Sequence, residues 1–328
     1  MSHTPIEKIV QSSDGTAIWA EAVGDPSKPS ILFAHGLWLS AGVFDDVFRD
    51  ERLLDNAYLV RYDMRGHGRS GKPAEEAYTS ALLADDYAAV LRAFNLQRPL
   101  HVGWSVRVYR GIARSAIATD VCANISPPPM SGLVFLSSLP SVAPEVLFTV
   151  ATPTVVGLQP GLNTTSDAAL YAQTKIDLID SLFADPDNVP FALKTSLIGQ
   201  SVMQRAALGG VLLSRAQDPA KLFEAGKAGM PLLILHGTGD KIMSGDGAVK
   251  ALTPHFSDMD VRMYEGAGHA LFHDKQDEVI TEILVFLKRI GVGTPFEIGM
   301  IHSNCIHAGK DKVNYTQYIP SSLTGRDL

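Results

Sequence analysis

The hydrophobic positions of this chain fall into short dense runs, separated by stretches in which they recur every three or four residues. Eight runs read as strands: IEKIV (6–10), TAIWAEAV (16–23), SILFAHG (30–36), AYLVRYD (57–63), PLHVGW (99–104), SGLVFLSS (131–138), PLLILHG (231–237) and DVRMYEG (260–266). The first two partly alternate, as an edge hairpin would. SILFA, LVFL and LLIL are almost unbroken, the pattern of parallel strands covered on both faces.

Between the strands the period changes. In YTSALLADDYAAVLRAFNLQ (78–97), Leu83, Tyr87, Val90, Leu91 and Phe94 share one helical face, and Thr79 or Ser80 can cap the start. In HDKQDEVITEILVFLKRIG (273–291), Val279, Ile283, Phe286 and Ile290 form a stripe, with Gly291 as a stop. Strands alternating with helices predict an α/β fold built on a doubly wound, mainly parallel sheet.

Residues 140–228 break the rhythm. They hold no strand pattern and read as helical, in SDAALYAQTKIDLIDSLFADP (166–186), capped at Ser166, and in VPFALKTSLIGQSVMQRAALGG (189–210). The organisation expected is a core of 1–139 and 229–291, a helical cap of 140–228 between two core strands, and a tail of 292–328. That tail lacks hydrophobic periodicity and is expected to be loosely ordered.

Composition narrows the picture only a little. At 328 residues and 46% hydrophobic, the chain can bury a large core. A net charge of −7, with no long block of one sign, argues against a general nucleic-acid binder. The start lacks a leader pattern, and no run approaches the roughly twenty apolar residues of a membrane helix. The two cysteines, Cys122 and Cys305, offer neither a disulfide framework nor a metal motif. No GxGxxG follows a strand and no GxxxxGK(S/T) is present. The expectation is a cytoplasmic protein without cofactor, metal, nucleic-acid or membrane partner, acting on a small molecule, with its oligomeric state open.

Five short motifs carry the chemistry: FAHGLW (33–38), DMRGHGRS (63–70), VGWS (102–105), LHGTGD (235–240) and GAGH (266–269). Their order resembles the α/β-hydrolase fold in its branch with a helical cap, over roughly residues 16–290. The resemblance implies Ser105 as nucleophile, His269 as general base and then acid, and Asp240 as its orienting partner. A serine hydroxyl is a poor nucleophile at neutral pH and needs such a base. The resemblance also implies an oxyanion hole from the N–H groups of Leu37 and Val106, with Trp38 and Trp104 lining the acyl pocket. His273 rivals His269 and Asp246 rivals Asp240; the GxGH context and the SGDGA context favour His269 and Asp240. His35, His67, Asp63 and Arg65 read as loop supports. Relatives with an aspartate at the elbow, the epoxide hydrolases and haloalkane dehalogenases, do not match.

One position departs from the family pattern. Gly-x-Ser-x-Gly is here Gly103-Trp104-Ser105-Val106-Arg107. Residues 106–116 look like extra chain, and Arg107, Arg110 and Arg114 would form a basic stripe on a helix unless the turn is longer. Three accounts stay open: a working elbow of altered geometry, a broken elbow in a ligand-binding protein, or an error in the gene model, such as a mis-spliced boundary, which the transcript sequence would decide. The function expected is a serine hydrolase cleaving an ester-like bond of a small or medium apolar substrate through an acyl-enzyme. The alternative is a catalytically impaired ligand-binding member of the fold. Perhydrolase-like or carbon–carbon bond hydrolase use of the same three residues is a third possibility.

Overall fold

A computed structural model describes residues 4–105, 108–109, 112–113, 117–139, 150–162, 164–291 and 313–318. Its strands are β1 Ile6–Gln11, β2 Ala17–Val23, β3 Ser30–Ala34, β4 Tyr58–Tyr62, β5 Leu100–Trp104, β6 Val108–Tyr109, β7 Ile112–Ala113, β8 Gly132–Leu136, β9 Leu232–Gly237, β10 Met259–Tyr264 and β11 Val313–Tyr318. Nine of them form one sheet in the order β1-β2-β4-β3-β5-β8-β9-β10-β11. β1 pairs antiparallel with β2, and β2 antiparallel with β4; every later pair in the sheet is parallel.

Every residue of β3, β4, β5, β8 and β9 is buried. Since successive side chains point to opposite faces, both faces of the central sheet are covered. β1, at the edge, is mostly exposed. The covering helices include Ser80–Ala93, which packs against Ile117–Asn124, and Gln276–Arg289. Thr79 caps the first of these by accepting from Leu82 N, and Gly291 follows the last at φ +68°.

Between β8 and β9 the described chain is helical: Pro153–Gly157, Gln159–Leu162, Ala168–Ser181, Phe191–Val202, Leu208–Ser214 and Ala220–Lys227. Two details differ from the expectation. The N-cap at 168 is Asp167, which accepts from Leu170 N at 2.8 Å, and not its neighbour Ser166. The segment 189–210 is not one helix. It stops at Val202, and Gln204 turns its amide to the carbonyls of Gln200 and Leu39 before a second helix starts at Leu208.

Two further features matter. The chain after Ser105 does not enter a helix at once: β6 and β7 pair as an antiparallel ribbon, and the helix begins at Ile117. Of the tail 292–328, residues 313–318 are described and form β11, which pairs in parallel register with β10 from Met259↔Val313 to Tyr264↔Tyr318; the rest of the tail lies outside the described residues. Its sequence, VNYTQY, mixes polar with β-branched and aromatic residues and has no apolar run. Pairing on one side only makes such a strand hard to see in a hydrophobicity pattern.

Candidate active site

Parallel strands deliver their carboxyl ends to one edge of the sheet, and four of them supply this site. β5 ends at Trp104 and Ser105 follows directly. Ser105 sits at φ +61°, a backbone region that non-glycine residues rarely occupy, and its N–H bonds to Leu136 O at 3.1 Å. The loop after neighbouring β3 passes close by. A methyl group on Gly36 would come within 3.0 Å of Ser105 Cβ and 3.1 Å of the Trp104 ring, so glycine allows this approach.

His269 and Asp240 arrive from the loops after β10 and β9. His269 Nε2 lies 2.6 Å from Ser105 Oγ, and His269 Nδ1 lies 2.8 Å from Asp240 Oδ2. The two loops are locked together: Gly239 N donates to Ala267 O, and Gly266 N to Thr238 Oγ1, each at 2.9 Å. Trp104 Nε1 donates to His269 O at 3.1 Å, and Asp274 accepts from Gly268 N at 2.7 Å. His269 and Asp240 are thus held from the backbone as well as through their side chains.

Asp240 is the electrostatic centre. Its Oδ1 accepts the N–H groups of Ile242 and Met243 at 2.7 and 3.0 Å. Burial pushes this carboxyl up. The opposing effects of His269 and the hydrogen bond from His236 are larger together, so it is held well below the usual carboxylate range. It is ionised at neutral pH. His236 Nε2 lies 3.0 Å from Asp240 Oδ2. Sequence reasoning passed over this second histidine, although it stands inside the quoted LHGTGD motif.

The rival residues are elsewhere. His273 packs between Phe183 and Phe272, its Nδ1 3.9 Å from Asp46 Oδ2. Asp246 is exposed in the first turn of the helix Gly245–Leu252. Val106 and Arg107, the expected second oxyanion donor and the residue in glycine's place, lie outside the described residues, as do Arg110 and Arg114. Leu37, Trp38 and Trp104 all line the pocket above Ser105, together with Leu39, Val155, Leu178, Leu182 and Ile242. The last five carried no sequence motif.

The loop supports account for the shape of residues 35–38. His35 Nε2 accepts from Met64 N at 3.0 Å while its Nδ1 faces Gly36 O at 2.8 Å. His67 Nε2 accepts from Trp38 N at 3.3 Å while its Nδ1 faces Arg65 O at 3.1 Å. Each ring therefore carries its one proton on Nδ1. Asp63 Oδ1 accepts from Ala41 N at 2.7 Å, extending the same network. The helical segment closes over the loops: Ala270 N donates to Leu182 O at 2.8 Å, Lys241 Nζ to Ala184 O at 3.0 Å, and the buried Lys175 ammonium sits 3.4 Å from the centroid of the Trp38 ring.

Burial also makes three histidines poor bases. It pushes His67 down to about 3 and His101 down to about 4, and it lowers His35. A free imidazole titrates near 6.5, so between those values the unfolded chain binds protons that the folded chain refuses. Their contribution to stability is therefore complete above about pH 6.5 and is lost as pH drops, by up to about 1.4 kcal/mol per pH unit per histidine. His101→Leu removes one such group whose Nδ1 has no hydrogen-bond partner among the described residues. Urea midpoints between pH 7.5 and 5 should fall less steeply in that variant; an unchanged slope would refute the assignment.

No helix among the described residues is long and apolar enough to cross a membrane, and none of their acidic, histidine or cysteine side chains cluster as a metal site would require.

Comparison with known proteins places this arrangement. A relative of comparable length is the non-heme chloroperoxidase of Streptomyces lividans, 25% identical over 290 residues that cover 85% of this chain and 99% of that protein. Among solved structures, the esterase RhEst1 from Rhodococcus sp. ECU1013 superposes with a TM-score of 0.74 at 24% identity, covering 87% of this chain and 99% of that one. The esterase EaEST from Exiguobacterium antarcticum gives 0.68 at 19%, covering 86% and 100%. At such identities the structural likeness speaks for the fold. The family model described as serine aminopeptidase, S33, matches residues 25–276, a span that holds Ser105, Asp240 and His269 along with most of the sheet; the chain belongs to that family of α/β-hydrolases.

Proposed function

We propose that the protein is a serine hydrolase that cleaves ester-like bonds of small or medium apolar substrates through an acyl-enzyme. The observation that carries this reading is the unbroken line Ser105 Oγ–His269 Nε2, His269 Nδ1–Asp240 Oδ2, at 2.6 and 2.8 Å. Ser105 Oγ attacks the carbonyl carbon as His269 Nε2 takes its proton. The Leu37 and Val106 N–H groups hold the oxyanion. The intermediate collapses, and the leaving alcohol takes the proton from His269. A water then gives its proton to His269 and attacks the acyl carbon, and Ser105 leaves with that proton.

Substrate class is argued from the walls. An aminopeptidase must neutralise a substrate ammonium, which requires an anion beside the scissile bond. Among the described residues, the pocket walls beside Ser105 and His269 are leucine, isoleucine, valine and tryptophan, with no carboxylate. They suit an apolar acyl group. Residues 140–228 serve as a cap whose helix Ala168–Ser181 and following turn supply the Leu178 and Leu182 side of the pocket. Two of the similar structures, RhEst1 and EaEST, are named as esterases, in keeping with this class.

Turnover of p-nitrophenyl esters of increasing acyl length tests the reading. Short and medium esters should be hydrolysed, and Ser105→Ala should lower kcat by at least about a thousandfold. A folded wild type without turnover would favour the ligand-binding alternative, for which Arg107 in the elbow is the argument.

A further inference from the structure

Asp240 is addressed by two histidines, and the proposed mechanism uses only one. His236 sits on β9, one helical-turn spacing before Asp240, with its ring fully buried. Its Nε2 lies 3.0 Å from Asp240 Oδ2 and 3.3 Å from Met243 O. Both neighbours are acceptors, so a hydrogen must stand on Nε2. Nδ1 has no hydrogen-bond partner among the described residues. In the neutral ring that atom carries only a lone pair, so the Nε2–H tautomer is the one that fits. A methyl group on Gly245 would approach His236 Cδ2 to 2.8 Å and Met263 Cε to 2.5 Å, so the glycine there lets the helix Gly245–Leu252 press on the imidazole.

Asp240 is thereby faced by four donors: two amides on Oδ1, His269 Nδ1–H on Oδ2, and the His236 Nε2–H, which is shared between Met243 O and Oδ2. The two amides hold Oδ1, and His236 adds a second contact at Oδ2, the oxygen that faces His269.

We infer that His236 is a positioning residue of this site: its Nε2–H fixes Asp240 Oδ2 so that His269 keeps its proton on Nδ1 and its free lone pair on Ser105. The inference rests on the reading of Ser105 as nucleophile. His236 does not line the pocket, so its loss should lower kcat and leave KM nearly unchanged.

The experiment compares wild type, His236→Phe, His236→Met and His236→Gln on a p-nitrophenyl ester, with a thermal melt of each. Phe and Met fill the space and donate nothing; Gln carries an N–H at similar reach. Phe and Met should lose about 10- to 100-fold in kcat, the value of one charge-assisted hydrogen bond, with KM within about twofold. Gln should recover to within about fivefold of wild type. Wild-type kcat in folded Phe or Met variants would overturn the inference, as would a folded Gln variant no better than they are. Ring ¹⁵N shifts of wild-type His236 give a readout that needs no variant to fold: the Nε2–H tautomer is expected, and the Nδ1–H tautomer would overturn it. A wild type whose Ser105 is unreactive would instead overturn the nucleophile reading; a reactive wild type with unaffected variants overturns only the role of His236.

Discussion

Asp240→Asn is expected to lower kcat by about four orders of magnitude in a protein that remains folded. Oδ1 of Asp240 accepts two backbone N–H groups, so the asparagine carbonyl will take that place and its amide will face His269. An amide N–H pointing at His269 Nδ1 forces the imidazole proton onto Nε2. There it points at Ser105 Oγ, and the base can no longer accept the serine proton. The same amide meets the Nε2–H of His236, which must give up its own bond. Substrate binding does not involve Asp240, so KM should change little. Steady-state kinetics with a p-nitrophenyl ester check this; a loss smaller than about tenfold would mean that His269 does not depend on Asp240.

The second large effect concerns stability. Arg65 is fully buried and forms a two-pronged pair with Asp86, Nε–Oδ2 at 2.7 Å and Nη2–Oδ1 at 2.6 Å. It also reaches Asp14 at 2.9 Å and the carbonyl of Leu82 at 3.2 Å. These contacts join the loop after β4 to the β1–β2 turn and the helix Ser80–Ala93. Burial pushes the Asp86 carboxyl up, and Arg65 offsets that only in part. Arg65→Met leaves a buried carboxylate without its partner, and is expected to cost about 3–5 kcal/mol. Arg65→Met with Asp86→Leu removes both charges and should recover much of the loss. Denaturant melts measure both. A single variant within about 1 kcal/mol of wild type would contradict the account.

Most of the fold was legible because the central strands are buried on both faces and therefore read as unbroken apolar runs. The five motifs fixed which loops meet, since each follows a strand whose end the parallel sheet carries to the same edge. Ser105, His269 and Asp240 came together for that reason. What escaped was decided by tertiary neighbours. Ser166 and Asp167 have equivalent capping chemistry, and only the packed helix selects Asp167. The ribbon β6–β7 is two residues a side, and the strand β11, VNYTQY, holds no apolar run, so neither shows a hydrophobic period. His236 lay in plain view in LHGTGD, but a histidine on a strand announces no partner until the strand meets Asp240.

The central claim is that Ser105 is an activated nucleophile despite Arg107 two positions on. Labelling the purified, folded protein with a fluorophosphonate, followed by mass mapping, tests it most directly, because the probe bonds to an activated serine and spares an idle one. The account predicts label on Ser105, abolished in His269→Ala. A folded protein that takes no label, or takes it on another residue, would contradict it.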